Sequence, residues 1–136
     1  MLLSRSCQYG IQAVLYISKN SGDSYISIKK IADANNISFH FLGKILQKLT
    51  QKGILTSFKG PNGGVCLSRP ADSINLLEVI EAIDGLEKFE NCVIGLPACN
   101  GKDPCVLHRQ WRENSKRLIR MFEEMTIKDL IKSRSE

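Results

Sequence analysis

Residues 38–53 constrain the fold of this chain more than any other stretch. Leu42, Ile45, Leu46 and Leu49 are spaced three, one and three apart, which sets them on one face of an α-helix. Lys44, Lys48 and Lys52 recur every four residues on the other side. Ser38 is placed to cap the N-terminus, and Gly53 ends the helix as a glycine does just past the last turn. A helix of this kind lies on an apolar body and turns a basic face outward. A second short helix precedes it, capped by Ser27, with Ile28, Ile31 and Ala32 as its buried face. The turn Asn35-Asn36-Ile37 joins the two, so the pair reads as a helix-turn-helix.

Two short β-prone runs follow, residues 54–59 and 65–68, around Gly60-Pro61-Asn62-Gly63-Gly64. Turn residues between two such runs predict a hairpin, and a hairpin directly after a helix-turn-helix is a wing. The periodicity predicts a helix over 7–18, with Ile11, Val14, Leu15 and Tyr16 apolar, and another over 76–83 stopped by Gly85. Residues 86–103 read as an 18-residue loop, long enough to need a functional reason. Asp103-Pro104 resembles a cap and first-turn proline. A last helix is predicted over 105–125, its apolar stripe formed by Leu107, Trp111, Leu118, Met121, Phe122 and Met125 at near-heptad spacing. The expected fold is mainly α with a small β-wing. Its expected parts are a winged helix-turn-helix over 1–85, a cysteine-rich loop over 86–104, and a long helix and tail over 105–136.

The net charge is +5, and its distribution says more than its size. From Ala34 to Ala71 there are five basic residues and no acid, whereas from Asp72 to Asn91 there are six acids and one base. A basic block on the helix-turn-helix and wing suits a polyanion. Lys44, Lys48, Lys52 and Lys59 are candidates for phosphate contacts, which gain affinity by releasing counterions. Ser38, Phe39 and His40, at the start of the second helix, are candidates for reading base edges in the major groove of double-stranded DNA. Gly60, Pro61, Asn62 and Gly63 form the tip that approaches the duplex. The competing reading puts Phe39 and Phe41 in the core and leaves His40 as a solvated surface residue. Gly43 is unusual, because glycine inside an exposed helix costs about 1 kcal/mol relative to alanine.

No apolar run approaches the roughly 20 residues of a membrane span, and polar residues interrupt the N-terminal segment that a secretion signal would need. The expected location is the cytosol, where five cysteines are poor candidates for structural disulfides. Cys92, Cys99 and Cys105 fall within 14 positions. Thiolates are ligands for iron–sulfur clusters and zinc. Cys105 follows Asp103-Pro104, where a helix dipole would favour a thiolate, and His108 shares its helical face. The short C-x-x-C pairs of zinc ribbons are absent. The alternatives are reduced, unliganded thiols or a redox disulfide. Cys7 and Cys66 read as structural. No nucleotide loop and no Ser/His/Asp set supports an enzyme, and a small thiol oxidoreductase or electron carrier would leave the basic helix and wing unexplained.

Several of these segments together resemble a known family, the bacterial IscR/NsrR-type regulators (the Rrf-two family). The resemblance is carried by Leu3-Ser4 with Tyr9-Gly10, Ile31-Ala32, Asn36-Ile37-Ser38, Phe41-Leu42, Leu46-Gln47-Lys48-Leu49 and Lys52-Gly53-Ile54-Leu55. It continues through Lys59-Gly60-Pro61-Asn62-Gly63-Gly64, Leu67, Ile74, Glu78-Val79-Ile80, the three cysteines, Trp111 and Thr126-Ile127-Lys128-Asp129-Leu130, and so spans nearly the whole chain. It implies a winged helix-turn-helix with a long dimerisation helix, and a homodimer on a palindromic operator. It also implies a cluster held by Cys92, Cys99 and Cys105. Members with a histidine placed as His108 is hold a 2Fe–2S cluster; others use an acidic residue where this chain has Gln8, a poor anionic ligand. The gap between the first two cysteines is six residues where five is common, and Gly43 stands where many members carry a longer polar side chain involved in DNA choice. The resulting expectation is a transcription regulator, a repressor or redox sensor, whose operator binding is controlled by a 2Fe–2S cluster. The alternative is a cluster-free, thiol- or partner-responsive repressor of sulfur or cysteine metabolism.

Overall fold

A computed structural model describes residues 2–20, 24–96 and 105–133. Seven α-helices and one hairpin follow in order among them: α1 (Arg5–Asn20), α2 (Ile28–Asn35), α3 (Phe39–Gln51), β1 (Leu55–Phe58), β2 (Gly64–Leu67), α4 (Leu76–Asp84), α5 (Glu87–Glu90), α6 (His108–Glu124) and α7 (Ile127–Ser133).

The expected helix-turn-helix is present with its caps. Ser27 Oγ accepts from Lys30 N at 3.1 Å, and Ser38 Oγ from Phe41 N at 3.5 Å. Between them Asn36 takes the left-handed conformation, φ 54°, which asparagine tolerates better than most residues. Gly53, at φ 78°, ends α3 as expected. Leu42, Ile45, Leu46 and Leu49 are all buried. The hairpin pairs antiparallel from Leu55 opposite Leu67 to Phe58 opposite Gly64. Ile26 joins as a single bridge, exchanging backbone hydrogen bonds with Val65 at 2.9 Å each way. A side chain at Gly64 would collide with the Ile26 carbonyl, so glycine there lets the wing lie directly on the strand entering α2.

α1 is central, touching α2, α3, α4, α7 and β2. Its inward face is Cys7, Gly10, Ala13, Val14 and Ile17, a rotation from the expected one. Ile11, Leu15 and Tyr16 lie at the margin of the core. The reason is Gly10, where an added Cβ would run into Ile83 of α4 and press on Ile45 of α3. Small residues let α1 approach closely, and close packing outweighs the size of the flanking apolar side chains.

The second half of the chain departs from expectation in four places. The segment after Gly85 is not wholly a loop, because α5 forms there and buries Phe89 to 1% exposure. The long helix starts at His108 rather than Cys105; Cys105 precedes a turn, with His108 N donating to the Cys105 carbonyl at 3.0 Å. The chain then folds back in an additional helix, α7, whose Ile127 is fully buried. Asp103 and Pro104 lie outside the described residues. The expected single stripe on α6 divides in two. Ser115 and Phe122 turn inward, Phe122 meeting Phe89 edge to face at 6.1 Å, while Leu107 and Met121 are 38% and 50% exposed.

Candidate nucleic-acid interface and cysteine segment

The buried leucine face fixes α3 against α1, α2 and α4, so its remaining side chains project outward. Ser38, Phe39, His40, Lys44 and Lys48 are all exposed. Ser38 also serves as the cap, and Phe39 meets the His40 ring at 5.5 Å. The alternative in which Phe39 and Phe41 belong to the core does not hold: they are 50% and 39% exposed, and Phe41 reaches Tyr9 edge to face at 5.7 Å. On the wing, Lys59, Gly60, Pro61 and Asn62 are exposed, and Gly63 N closes the turn onto the Gly60 carbonyl at 3.0 Å.

The structure groups these residues more finely than the sequence did. Phe39, Lys59, Gly60 and Gly63 line one cleft of about 720 Å³ between α3 and the wing, together with Lys29, Gly43, Gln47 and Phe58. His40, Lys44, Lys48, Pro61 and Asn62 stand outside it. Lys29 and Phe58 were not anticipated. For Phe58 a signal existed: with Leu55 buried, Phe58 falls on the solvent phase of its strand, an unusual place for an aromatic. Nothing in the local pattern distinguishes Lys29 from Lys30.

Of the cysteine segment, Cys92, Cys105 and His108 are described, and they line one small pocket with Val93, Leu107 and Trp111. Cys99 lies outside the described residues. Among the described residues no three His, Cys, Asp or Glu side chains stand grouped as for a single metal ion. A 2Fe–2S cluster spreads its ligands over two iron atoms, so two thiols and an imidazole suit it in donor chemistry, while the pocket between them, about 10 Å³, must widen to admit it. Cys66, in β2, is half-buried, and Cys7 is fully buried in α1.

Both ends of the segment are anchored to the rest of the molecule. Trp111 Nε1 donates to the Asn91 carbonyl at 2.9 Å, holding α6 to the residue before Cys92. At the base of α5, Lys88 Nζ donates to Asp84 at 2.7 Å and to the Leu2 carbonyl at 2.7 Å. Asp84 also accepts from Ser4 N at 2.9 Å and from the Ser4 hydroxyl. Burial alone would raise the Asp84 pKa, but the hydrogen bonds from Lys88 and Ser4 together outweigh it and hold the carboxyl below its ordinary value. Burial pushes the Cys7 thiol up to about 12, with the Asp84 charge adding to the effect.

A basic, exposed second helix of a helix-turn-helix, a hairpin wing beside it and a long helix behind a cysteine segment define a winged-helix transcriptional regulator. A family described as iron-dependent transcriptional regulators matches residues 3–133. The chain belongs to that family, Rrf2. It is 32% identical over 133 residues to a protein of Aquifex aeolicus described as an HTH-type transcriptional regulator, covering 96% of this chain and 92% of the relative. It is 31% identical over 131 residues to IscR of Klebsiella pneumoniae, covering 96% and 80%. Among solved structures, the oxidized form of Staphylococcus aureus CymR superposes with TM-score 0.76 at 26% identity, covering 96% of each chain. The fold is also that of T. potens IscR, TM-score 0.78 at 23% identity, covering 98% and 88%. As a member of this family the protein is a DNA-binding transcription regulator, and among the described residues no helix is long and apolar enough to cross a membrane.

Proposed function

We propose that this regulator works in the cytosol as a homodimer on a palindromic operator, and that a 2Fe–2S cluster on Cys92, Cys99, Cys105 and His108 controls its DNA binding. The observation that carries this reading is the convergence of Cys92, Cys105 and His108 on one pocket, in a chain of a family described as iron-dependent. The donor types are those such clusters take. When bound, the cluster would supply a redox-variable link between the two ends of the cysteine segment. The chain's own residues carry the consequence onward. Asn91, beside Cys92, holds Trp111 on α6; Phe89 packs on Phe122; Lys88 and Asp84 tie α5 to the start of α1. A shift of Cys92 would therefore be felt both on α6 and at the base of the winged domain.

On the DNA side, Ser38, Phe39 and His40 read base edges while Lys44, Lys48 and Lys59 contact phosphates, with Gly60, Pro61, Asn62 and Gly63 at the adjacent groove. Lys48→Ala is expected to weaken binding to every duplex and to lower the slope of log K against log salt by about one. An unchanged slope removes Lys48 from the phosphate contacts.

The cluster is tested by purification without oxygen, a visible spectrum, and iron and sulfide assays. A red-brown protein with about two irons and two sulfides per chain is the expected result. Cys99→Ala should lose the colour and keep the fold; full absorbance in that variant overturns the ligand set. The likeness to the oxidized form of CymR, whose B. subtilis counterpart is described as the global cysteine regulator, favours a second reading: a thiol-responsive repressor of sulfur metabolism using the same cysteines. A colourless protein that resists reconstitution, yet changes its DNA affinity with thiol oxidation, would select it.

A further inference from the structure

The cleft between α3 and the wing has a chemistry of its own. Phe39 and Phe58 stand on its wall at 50% and 55% exposure. Tyr25 stacks on Phe58 from outside the cleft, centroids 5.4 Å apart, and supports a ring that would otherwise lie open to water. Lys29 of α2 and Lys59 of the wing are also on the lining, and among the described residues no Asp or Glu is. Gly43 presents nothing to the space, and no atom comes within 4 Å of where its Cβ would be. The walls are preset, because the Ile26–Val65 bridge and the contact at Gly64 fasten the wing to the start of α2.

We propose that this cleft seats one sugar–phosphate strand of duplex DNA, with Phe58 against the deoxyribose and Lys29 and Lys59 on its phosphates. The proposal rests on the reading of α3 as the helix in the major groove. With α3 in one groove and the wing in the next, the ridge between them is the backbone of one strand, and it must pass through the space that separates α3 from the wing. A sugar–phosphate strand alternates apolar C–H faces with negative charge, and the lining offers aromatic faces and two ammonium groups. Phe58 and Lys29 thereby become positioning residues. They set the register of the protein on the duplex without reading its sequence.

Fluorescence anisotropy on the full-length protein, with a duplex of arbitrary sequence titrated at several salt concentrations, separates the two contributions. Phe58→Ala is expected to weaken binding about five- to tenfold from lost apolar burial, with the salt slope unchanged. Lys29→Ala is expected to lower the slope by about one. If both variants bind as wild type while Lys48→Ala loses slope, the cleft is not a backbone seat although α3 still faces DNA. If the wild type shows no salt-dependent duplex binding, the DNA face itself is wrong and the cleft proposal falls with it. Phe58→Leu, which keeps an apolar side chain, is expected to recover part of the affinity, and it replaces Phe58→Ala should that variant melt early. The dye anilinonaphthalene sulfonate probes a different occupant. Dye fluorescence lost in the Phe58 variant but not displaced from wild type by saturating duplex would mean that the cleft stays open on DNA, and would overturn the proposal.

Discussion

Asp84 has 8% of its side chain exposed and accepts hydrogen bonds from Ser4, just ahead of α1, and from Lys88 of α5. Its pKa is lowered in the folded protein, so its contribution to stability is complete above the unfolded carboxyl value and is lost as pH falls through and below it. Urea titrations at neutral pH and between about pH 5 and 2 should show this loss. Asp84→Asn is expected to cost about 1–3 kcal/mol at neutral pH and to flatten the acid dependence. Cys7 makes the opposite case. With its pKa pushed up to about 12 and its side chain buried, it stays a thiol at neutral pH and should resist iodoacetamide until the protein unfolds, as mass spectrometry of the alkylated chain would read. The structural reading of Cys7 was available from its place near the start of an apolar helix. The partnership of Ser4 with Asp84 was not, because it joins residues 80 positions apart and nothing in either local pattern requires the other.

At the level of elements, the sequence was most readable where one helix stripe meets a cap. Ser27, Ser38 and Gly53 bounded α2 and α3 because each does its work within a single turn. The signal for α7 is equally local, although the apolar stripe of α6 ends before it. Thr126 and Asp129 form a reciprocal cap, with Thr126 N donating to Asp129 at 3.1 Å and Asp129 N to the Thr126 hydroxyl at 3.0 Å, the side chain-to-backbone exchange of a capping box. Thr126→Ala should lower stability by about 1 kcal/mol in thermal or urea unfolding. α5 had no such signature. A four-residue helix is held by the burial of Phe89 and by the Lys88 bond to the Leu2 carbonyl, tertiary facts that no local periodicity encodes. Because Phe89 and Phe122 close one contact between α5 and α6, Phe122→Ala is expected to cost about 3–5 kcal/mol. The division of the α6 stripe into an inward Phe122 and an outward Met121 was hidden for a related reason. Neighbouring apolar residues on one helix look alike until a partner takes one of them.

For the whole molecule, the outward line on α6 bears on assembly. Leu107, at the cap of α6, and Met121 are two heptads apart, with half-buried Trp111 and Leu118 between them, on a helix otherwise rich in charge. Within the proposed dimer this line is the shared surface, so Met121→Asp should shift the protein from dimer to monomer in light scattering and weaken operator binding. Basic charge on α3 and cysteines ahead of α6 could both be seen in the sequence, and so could the class of protein. The cleft could not, because Lys29, Phe39 and Phe58 come together only once α2, α3 and the wing are packed.

The return of the chain at Thr126 sets a limit on modularity. Leu76 N donates to the Met125 carbonyl at 2.7 Å, Ile127 N donates to the Ile74 carbonyl at 2.9 Å, and Ile127 sits in the same core as α1. The last described helix thus packs against α1 and against the turn at residues 71–73 that leads into α4. An evolutionary exchange joined in the cysteine segment would import a foreign α7 into a seat shaped for this one. Recombinants that keep Ile74 and Ile127 from the same parent should fold, and those that part them should not. The reading head and the tail of such a protein are expected to travel through lineages together, leaving the stretch between them freer to vary in what it senses.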